Sequence, residues 1–278
     1  MKIGIVGLGL IGGSLAIDLR RLGHWVVGVS RRPETCQRAI ALGIVDDAGS
    51  ALSSMAAAEV VFLCTPLGVM EATVQALVPH LSPHTILTDV GSVKQPIVDM
   101  LTCYWTPVVG GHPMAGTADS GLEAAQADLF AQRPYVLTPT PATPADAVET
   151  VADLARSLQS QVVCCSPQEH DQAVAWISHL PVMVSACLIQ SCMAEPHAAI
   201  LRLAQQLASS GFRDTSRVGG GNPELGIMMA RYNQSALLEA LTHYRASLDQ
   251  LIQQVNQSDW GAIATLLEQT QGDRPSFL

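Results

Sequence analysis

Apolar and polar positions along the chain follow two different periods. Up to residue 165, short β-branched runs alternate with stretches in which apolar residues recur every three or four positions. Residues 2–6, 25–29, 60–64, 85–89, 106–109, 133–138 and 161–165 read as strands. The repeat of Leu15, Ala16, Leu19 and Leu22, the alanine-rich stretch before Val60, and residues 69–77 and 145–158 read as helices between them. Strands alternating with helices predict an α/β fold around a parallel sheet. Beyond Pro167 the β signal stops, and residues 168–210, 223–256 and 260–271 keep helical periodicity almost throughout. The chain therefore divides into an α/β domain over 1–166 and an all-α domain over 167–278. Leu237, Leu238, Leu241, Leu248, Leu251 and Ile252 form apolar seams in the second domain. One small helical layer buries fewer apolar positions than these helices carry, so a homodimer through this domain is expected.

The first strand runs straight into glycines at G-x-G-x-x-G spacing, Gly7, Gly9 and Gly12, and then into a helical pattern. Strand, glycine turn and helix in that order form a dinucleotide-binding fingerprint, so the first domain is read as Rossmann-type. The first glycine allows the tight turn, the second lets a pyrophosphate approach the backbone, and the third lets helix and strand pack closely. The anion then sits at the helix N-terminus, where free N–H groups and the helix dipole favour it. The cofactor-binding turn is expected to comprise Gly7, Leu8, Gly9, Leu10, Ile11 and Gly12.

The second strand bears on which dinucleotide. NAD enzymes usually end this strand in a carboxylate that binds the ribose 2′-hydroxyl. Here Ser30, Arg31 and Arg32 stand there instead, a hydroxyl and two guanidiniums suited to a 2′-phosphate. NADP is the expected cofactor. Cys64, Thr65 and Pro66 follow the third strand, where loops at carboxyl ends of parallel strands line the cofactor crevice. Ser92, after the fourth strand, reads as an N-cap at the edge of that crevice. His112, bracketed by glycine and proline after the fifth strand, is placed at its mouth as a catalytic candidate. No Cys, Asp or Glu stands near it at metal-ligand spacing, so no metal is expected.

Composition narrows the class further. Hydrophobic residues make up 48% of the 278 positions and charged residues only 14%. No apolar run is expected to reach the ~18 residues of a membrane span, and Lys2 leads directly into the first strand without a signal peptide. A cytoplasmic protein with no membrane association is expected. The net charge of −9 argues against nucleic acid as a partner. The seven cysteines make no C-x-x-C pair and are expected to be reduced, mostly buried thiols.

Three further stretches, with the N-terminal fingerprint, resemble one family in the right order over nearly the whole chain. They are Asp89-Val-Gly-Ser92-Val-Lys94 with Gly111-His112-Pro113-Met114-Ala-Gly116, then Asp171-Gln-Ala-Val-Ala175-Trp-Ile-Ser178-His179-Leu180-Pro181, then Gly211-Phe212-Arg213-Asp214-Thr215-Ser216-Arg217. The chain resembles the prephenate/arogenate dehydrogenases of tyrosine biosynthesis. With Arg31 and Arg32 it looks most like an NADP-dependent arogenate dehydrogenase.

The resemblance implies a cyclohexadiene substrate with a ring hydroxyl at one end and a quaternary carboxylate at the other. Hydride leaves the hydroxyl-bearing carbon for the nicotinamide, CO2 leaves from the opposite carbon, and the ring becomes aromatic. It implies His112 as acceptor of the hydroxyl proton, and Ser92 as a partner of the same hydroxyl or an orienter of His112. Arg217, with Arg213 beside it, would bind the ring carboxylate, and His179 would face the crevice from the helical domain. Two positions depart from the family pattern. Val182 replaces a second histidine after S-H-L-P, and Gly226 stands where many prephenate-using members carry an aromatic. Both changes point toward arogenate. Other NADP oxidoreductases of this architecture, such as hydroxyacid dehydrogenases and imine reductases, rely on a helical-domain lysine, and no lysine follows Lys94. A non-catalytic cofactor sensor would need an interaction tail, and only residues 272–278 offer one.

Overall fold

Strand and helix alternate from the start of the chain, as the two periods require. The computed structural model describes residues 1–117 and 119–277. It opens with β1 (Lys2–Val6), α1 (Leu10–Arg21), β2 (Trp25–Val29), α2 (Pro33–Ala41) and the short β3 (Asp47–Gly49). Next come β4 (Val60–Leu63), α3 (Leu67–Leu77), β5 (Ile86–Asp89), α4 (Gln95–Tyr104) and β6 (Val108–Pro113). β7 (Pro134–Thr138), α5 (Ala145–Ser157) and β8 (Gln161–Cys164) finish the layer. The sheet order is β3-β2-β1-β4-β5-β6-β7-β8, parallel as far as β6, with β7 antiparallel to β6 and β8 parallel to β7. The direction of strand succession reverses between β1 and β4, and a crevice opens there at the carboxyl ends of the strands.

Period two decides which face each strand residue enters. Val60 and Phe62 of β4 join Ile3, Ile5, Leu15, Leu19 and Leu154 in a core under α1 and α5. Val61 and Leu63, one residue out of phase, join Met70, Leu87 and Leu101 in a second core under α3 and α4. Both faces of the sheet are thus covered, which is why its central strands read as continuous apolar runs.

Two elements differ from the sequence expectation. β3 falls in what reads as a polar turn, because three residues, Asp-Ala-Gly, carry no apolar alternation. The fifth predicted strand, expected over 106–109 with His112 in the loop beyond, runs over Val108–Pro113 instead. Gly110 and Gly111 look like breakers but are required by close approach. A Cβ on Gly110 would lie 2.3 Å from Thr138 Oγ1, and one on Gly111 would lie 2.6 Å from the Asp89 carbonyl oxygen. His112 is therefore a strand residue.

The second layer comprises α6 (Pro167–Val174), α7 (Leu180–Met193), α8 (Ala198–Leu207), α9 (Ser210–Ser216), α10 (Pro223–Tyr232), α11 (Gln234–Asn256) and α12 (Trp260–Asp273). A π-helical turn, Ala175–His179, joins α6 to α7. The stretch Pro167–Met193 is consequently one helical run of 27 residues, whose most apolar 18-residue window has a mean hydropathy of 1.6. By length and mean composition alone it passes for a membrane-crossing helix, but Ser178, His179, Ser185, Gln190 and Ser191 interrupt it, so no unbroken apolar run reaches 18 residues. Buried apolar residues here are few, centred on Ala175, Leu180 and Ala240. α8 and α12 bury none, and Ile200, Leu203, Leu207, Leu248, Ile252 and Trp260 stand exposed. The cysteines are free, but Cys103, Cys164, Cys187 and Cys192 are exposed and only Cys36 is fully buried. The expectation of mostly buried thiols fails because β8 is an edge strand and α7 has an uncovered face.

Candidate active site

The glycine turn sits at the point where strand order reverses, and each glycine is held there for a separate reason. Gly7 has φ +108°, and a Cβ on it would come within 2.6 Å of the Cys64 carbonyl oxygen. A Cβ on Gly12 would lie 2.0 Å from the Gly7 carbonyl oxygen, so the third glycine is what lets α1 press onto β1. A Cβ on Gly9 meets nothing within 4 Å. That open space lies at the N-terminus of α1, which no side chain caps. Thr65, whose backbone nitrogen would lie 3.1 Å from a Cβ on Gly7, has a buried hydroxyl with no partner among the described residues. An uncapped helix terminus, room above the second glycine and an unpartnered hydroxyl fit a dinucleotide pyrophosphate.

Around this turn the expected cofactor residues divide by how they can act. Leu8 is buried against Gly28, so it can offer a ligand only its backbone. Leu10 and Ile11 are half-buried on the first turn of α1. Ser30 is half-buried at the end of β2, and its hydroxyl accepts from the Arg32 backbone N–H at 3.3 Å. Arg31 and Arg32 are exposed, with guanidiniums that make no ion pair among the described residues. Cys64 is half-buried, with its thiol pushed up by burial and by the nearby Asp89 carboxylate, and Pro66 is exposed. A surface hollow of about 650 Å³ lined by Arg20, His24, Trp25 and Asp46 lies by the start of β2, at the amino ends of the strands, and holds none of these residues.

His112 is buried in β6 at the carboxyl edge of β5. Beneath it lies an ion pair that sequence reading missed. Asp89 and Lys94 are paired with no exposure on either side chain. The Asp89 carboxylate also accepts from the backbone N–H groups of Gly91 at 2.7 Å and Gly111 at 3.2 Å. Lys94 Nζ donates to the Gly111 carbonyl oxygen at 2.7 Å. Burial is the largest influence on the His112 ring, followed by His170, Lys94 and His179, and all four push its pKa well below the ordinary imidazole value.

The next contribution comes from α6. Ser166 and Glu169 form a reciprocal capping box, with Pro167 at the first helical position, which fixes where α6 begins. His170 and Asp171 follow at once, both buried. His112 Nδ1 and His170 Nε2 are 2.8 Å apart, and His170 Nδ1 is 2.8 Å from Asp171 Oδ1. The Asp171 carboxylate accepts from the backbone N–H groups of Lys94 at 2.7 Å and Gln95 at 2.8 Å. This corrects the Ser92 reading. α4 is capped from the helical domain by Asp171, because its first turn starts three residues after Ser92. The Ser92 side chain is half-buried, and His170, not Ser92, is the hydrogen-bond partner of His112.

His179 lies in the π-helical turn, fully buried. Asn233, between α10 and α11, donates to the Asp171 carbonyl oxygen at 2.7 Å and lies 3.1 Å from His179 Nδ1. His179 Nε2 is left without a partner among the described residues. Burial lowers the His179 pKa to about 4, with His170 acting in the same direction against the Asp171 carboxylate. Val182 is one turn beyond His179, on the same helix face. A Cβ on Gly226 would stand 4.0 Å from Val182 Cγ1, so the two departures from the family pattern occupy one niche.

The structure does not bring the two arginines into this cluster. Arg213 is exposed on α9 and pairs with its neighbour Asp214 at 3.2 Å. Arg217 is exposed in the turn after α9, which packs on α7 through Gly219 against Ser185 and Ala186. Neither shares a hydrogen bond with His112, His170 or His179 among the described residues. Lys94, His170, Asp171 and Asn233 went unassigned at the sequence level. The signals were there: a His-Asp pair directly after a capping box, and an Asn between two helical periods.

Comparison with known proteins places this arrangement. The family model described as "Prephenate dehydrogenase, nucleotide-binding domain" matches residues 15–164. The one described as "Prephenate dehydrogenase, dimerization domain" matches residues 166–269. Prephenate dehydrogenase of Bacillus subtilis is 33% identical over 263 residues, covering 92% of this chain and 70% of that protein. The crystal structure of Synechocystis arogenate dehydrogenase matches with a TM-score of 0.91 and 54% identity, covering both chains completely. Prephenate dehydrogenase from A. aeolicus, crystallised with hydroxyphenyl propionate and NAD+, matches with a TM-score of 0.94 and 26% identity over 100% of this chain and 98% of that one. The chain is a member of the prephenate dehydrogenase family of oxidoreductases.

Proposed function

We propose that this protein is an NADP-dependent arogenate dehydrogenase, converting L-arogenate to L-tyrosine with loss of CO2 in the cytoplasm. The observation that carries the reading is His112, buried at the carboxyl end of β6 against His170, where burial and its neighbours disfavour the protonated ring. Ser30, Arg31 and Arg32 support NADP over NAD, since a hydroxyl and two guanidiniums, and no carboxylate, follow directly on the end of β2. The small Val182–Gly226 niche supports arogenate over prephenate, as does the 54% identity to the Synechocystis arogenate dehydrogenase.

The residues divide the work as follows. The glycine turn and Thr65 hold the pyrophosphate, and a bound nicotinamide supplies the hydride acceptor. His112 accepts the ring hydroxyl proton as hydride departs, and Ser92 hydrogen-bonds the same oxygen. CO2 loss from the opposite carbon leaves a phenolate oxygen, to which His112 returns the proton. The proton balance is therefore closed within the site, and the ring nitrogen needs only to store a proton, not to export it. The ring carboxylate is assigned to Arg217, with Arg213, whose exposed guanidiniums must reach in from α9 and the turn after it, and His179 forms the facing wall. The exposed apolar faces of α8, α11 and α12 are covered by a second copy, in keeping with the C-terminal family description.

The test is direct. Purified protein is offered arogenate or prephenate with NADP or NAD, and reduced cofactor is followed by absorbance. The reading expects the highest kcat/KM for arogenate with NADP; a higher kcat/KM for prephenate or for NAD overturns the corresponding half of the assignment.

A further inference from the structure

We infer that His170 and Asp171 are positioning residues that fix the tautomer of His112, so that Nε2 carries the reactive lone pair; this rests on His112 being the base. The argument follows the hydrogens along the chain of contacts. The Asp171 carboxylate can only accept, and it already accepts the Lys94 and Gln95 backbone N–H groups. The His170 Nδ1 that faces it at 2.8 Å must therefore carry the hydrogen. A neutral imidazole has one N–H, so His170 Nε2 is an acceptor. His112 Nδ1, 2.8 Å away, then has to be the donor. What remains on His112 is a bare Nε2, which has no hydrogen-bond partner among the described residues.

Free imidazole side chains favour the opposite tautomer, with hydrogen on Nε2. That form would be unable to accept a proton at Nε2 and would set two lone pairs against each other at the His112–His170 contact. The charged and titratable groups around the ring are consistent with a neutral His112 at physiological pH. Lys94 lies behind β6 with Asp89 as its partner, His170 and Asp171 come from α6, and His179 comes from the π-helical turn. Asp171 also caps α4, so the same carboxylate that orients His170 ties the helical domain to the nucleotide-binding domain.

The test is nitrogen NMR of the full-length protein labelled in histidine, with the His112 signals assigned by their loss in His112→Asn. The expected wild-type spectrum has a protonated, pyrrole-type Nδ1 and a pyridine-type Nε2 on His112. His170→Gln should preserve that pattern, because its amide can donate to Asp171 and accept from His112. His170→Phe should shift His112 toward the Nε2–H form and lower kcat by roughly tenfold or more with little change in KM. A wild-type His112 with hydrogen on Nε2 overturns the inference, even where His112→Asn loses turnover and so upholds the base itself. An unchanged tautomer and kcat in a folded His170→Phe variant does the same.

Discussion

Lys94 Nζ donates to the carbonyl oxygen of Gly111 at 2.7 Å, one residue before His112 on the same strand. The ammonium thus ties the crevice edge of β6 to the turn after β5, while Asp89 neutralises it. Burying this pair cost solvation that the pair itself must offset. Lys94→Met would leave Asp89 buried and unpaired, and a loss of about 3–5 kcal/mol in urea denaturation is expected. Adding Asp89→Leu should recover part of that loss, with the Gly91 and Gly111 N–H groups left to account for the remainder.

The glycine turn separates folding from cofactor binding. Gly12→Ala would place a methyl against the Gly7 carbonyl oxygen, and about 1–3 kcal/mol of stability should be lost. Gly9→Ala meets open space, so Tm should stay near the parent value. Its methyl would instead fill the pyrophosphate position, and NADP affinity, read by fluorescence quenching, should fall tenfold or more. Retained affinity in Gly9→Ala would move the pyrophosphate elsewhere.

Arg31→Ala with Arg32→Ala should raise the KM for NADP at least tenfold and leave that for NAD nearly unchanged. Charge-assisted hydrogen bonds at about 1.5–3 kcal/mol each set that scale. An unaltered NADP constant would mean that both guanidiniums face solvent in the complex, as they do in the free chain.

Arg217→Ala is expected to weaken arogenate binding tenfold or more while NADP affinity stays near normal. Arg217→Lys should recover only part, since an ammonium cannot grip a carboxylate bidentately. Equal loss of both affinities would indicate a packing role for the turn after α9.

Sequence patterns revealed what is local and hid what is not. β1 and β2 were legible to the residue because each is a short apolar run with a glycine close to one end, Gly7 after β1 and Gly23 before β2, and the three glycine tasks are visible in the steric surroundings of Gly7, Gly9 and Gly12. His112 was legible as a site candidate but misplaced in a loop, because Gly110 and Gly111 look like breakers until Thr138 and Asp89 are seen pressing on them. The partners of His112 come from 58 residues away, across the junction of the two domains. No local period encodes that distance, so His170 read as an ordinary residue after a helix cap. Ser92 was read as an N-cap for the same reason: the acceptor that caps α4, Asp171, is 77 residues from Lys94.

The most direct test of the central claim is the pH dependence of kcat/KM beside the turnover of His112→Asn. Burial, His170, Lys94 and His179 all disfavour the protonated ring, so the neutral form persists below the ordinary histidine pKa of about 6.5. Activity should stay level through that pH and fall only under more acidic conditions, because protonation removes the lone pair. His112→Asn should lose about 10²–10⁴-fold in rate with little change in substrate or NADP affinity. A His112→Asn enzyme that turns over at a near-normal rate would contradict the account.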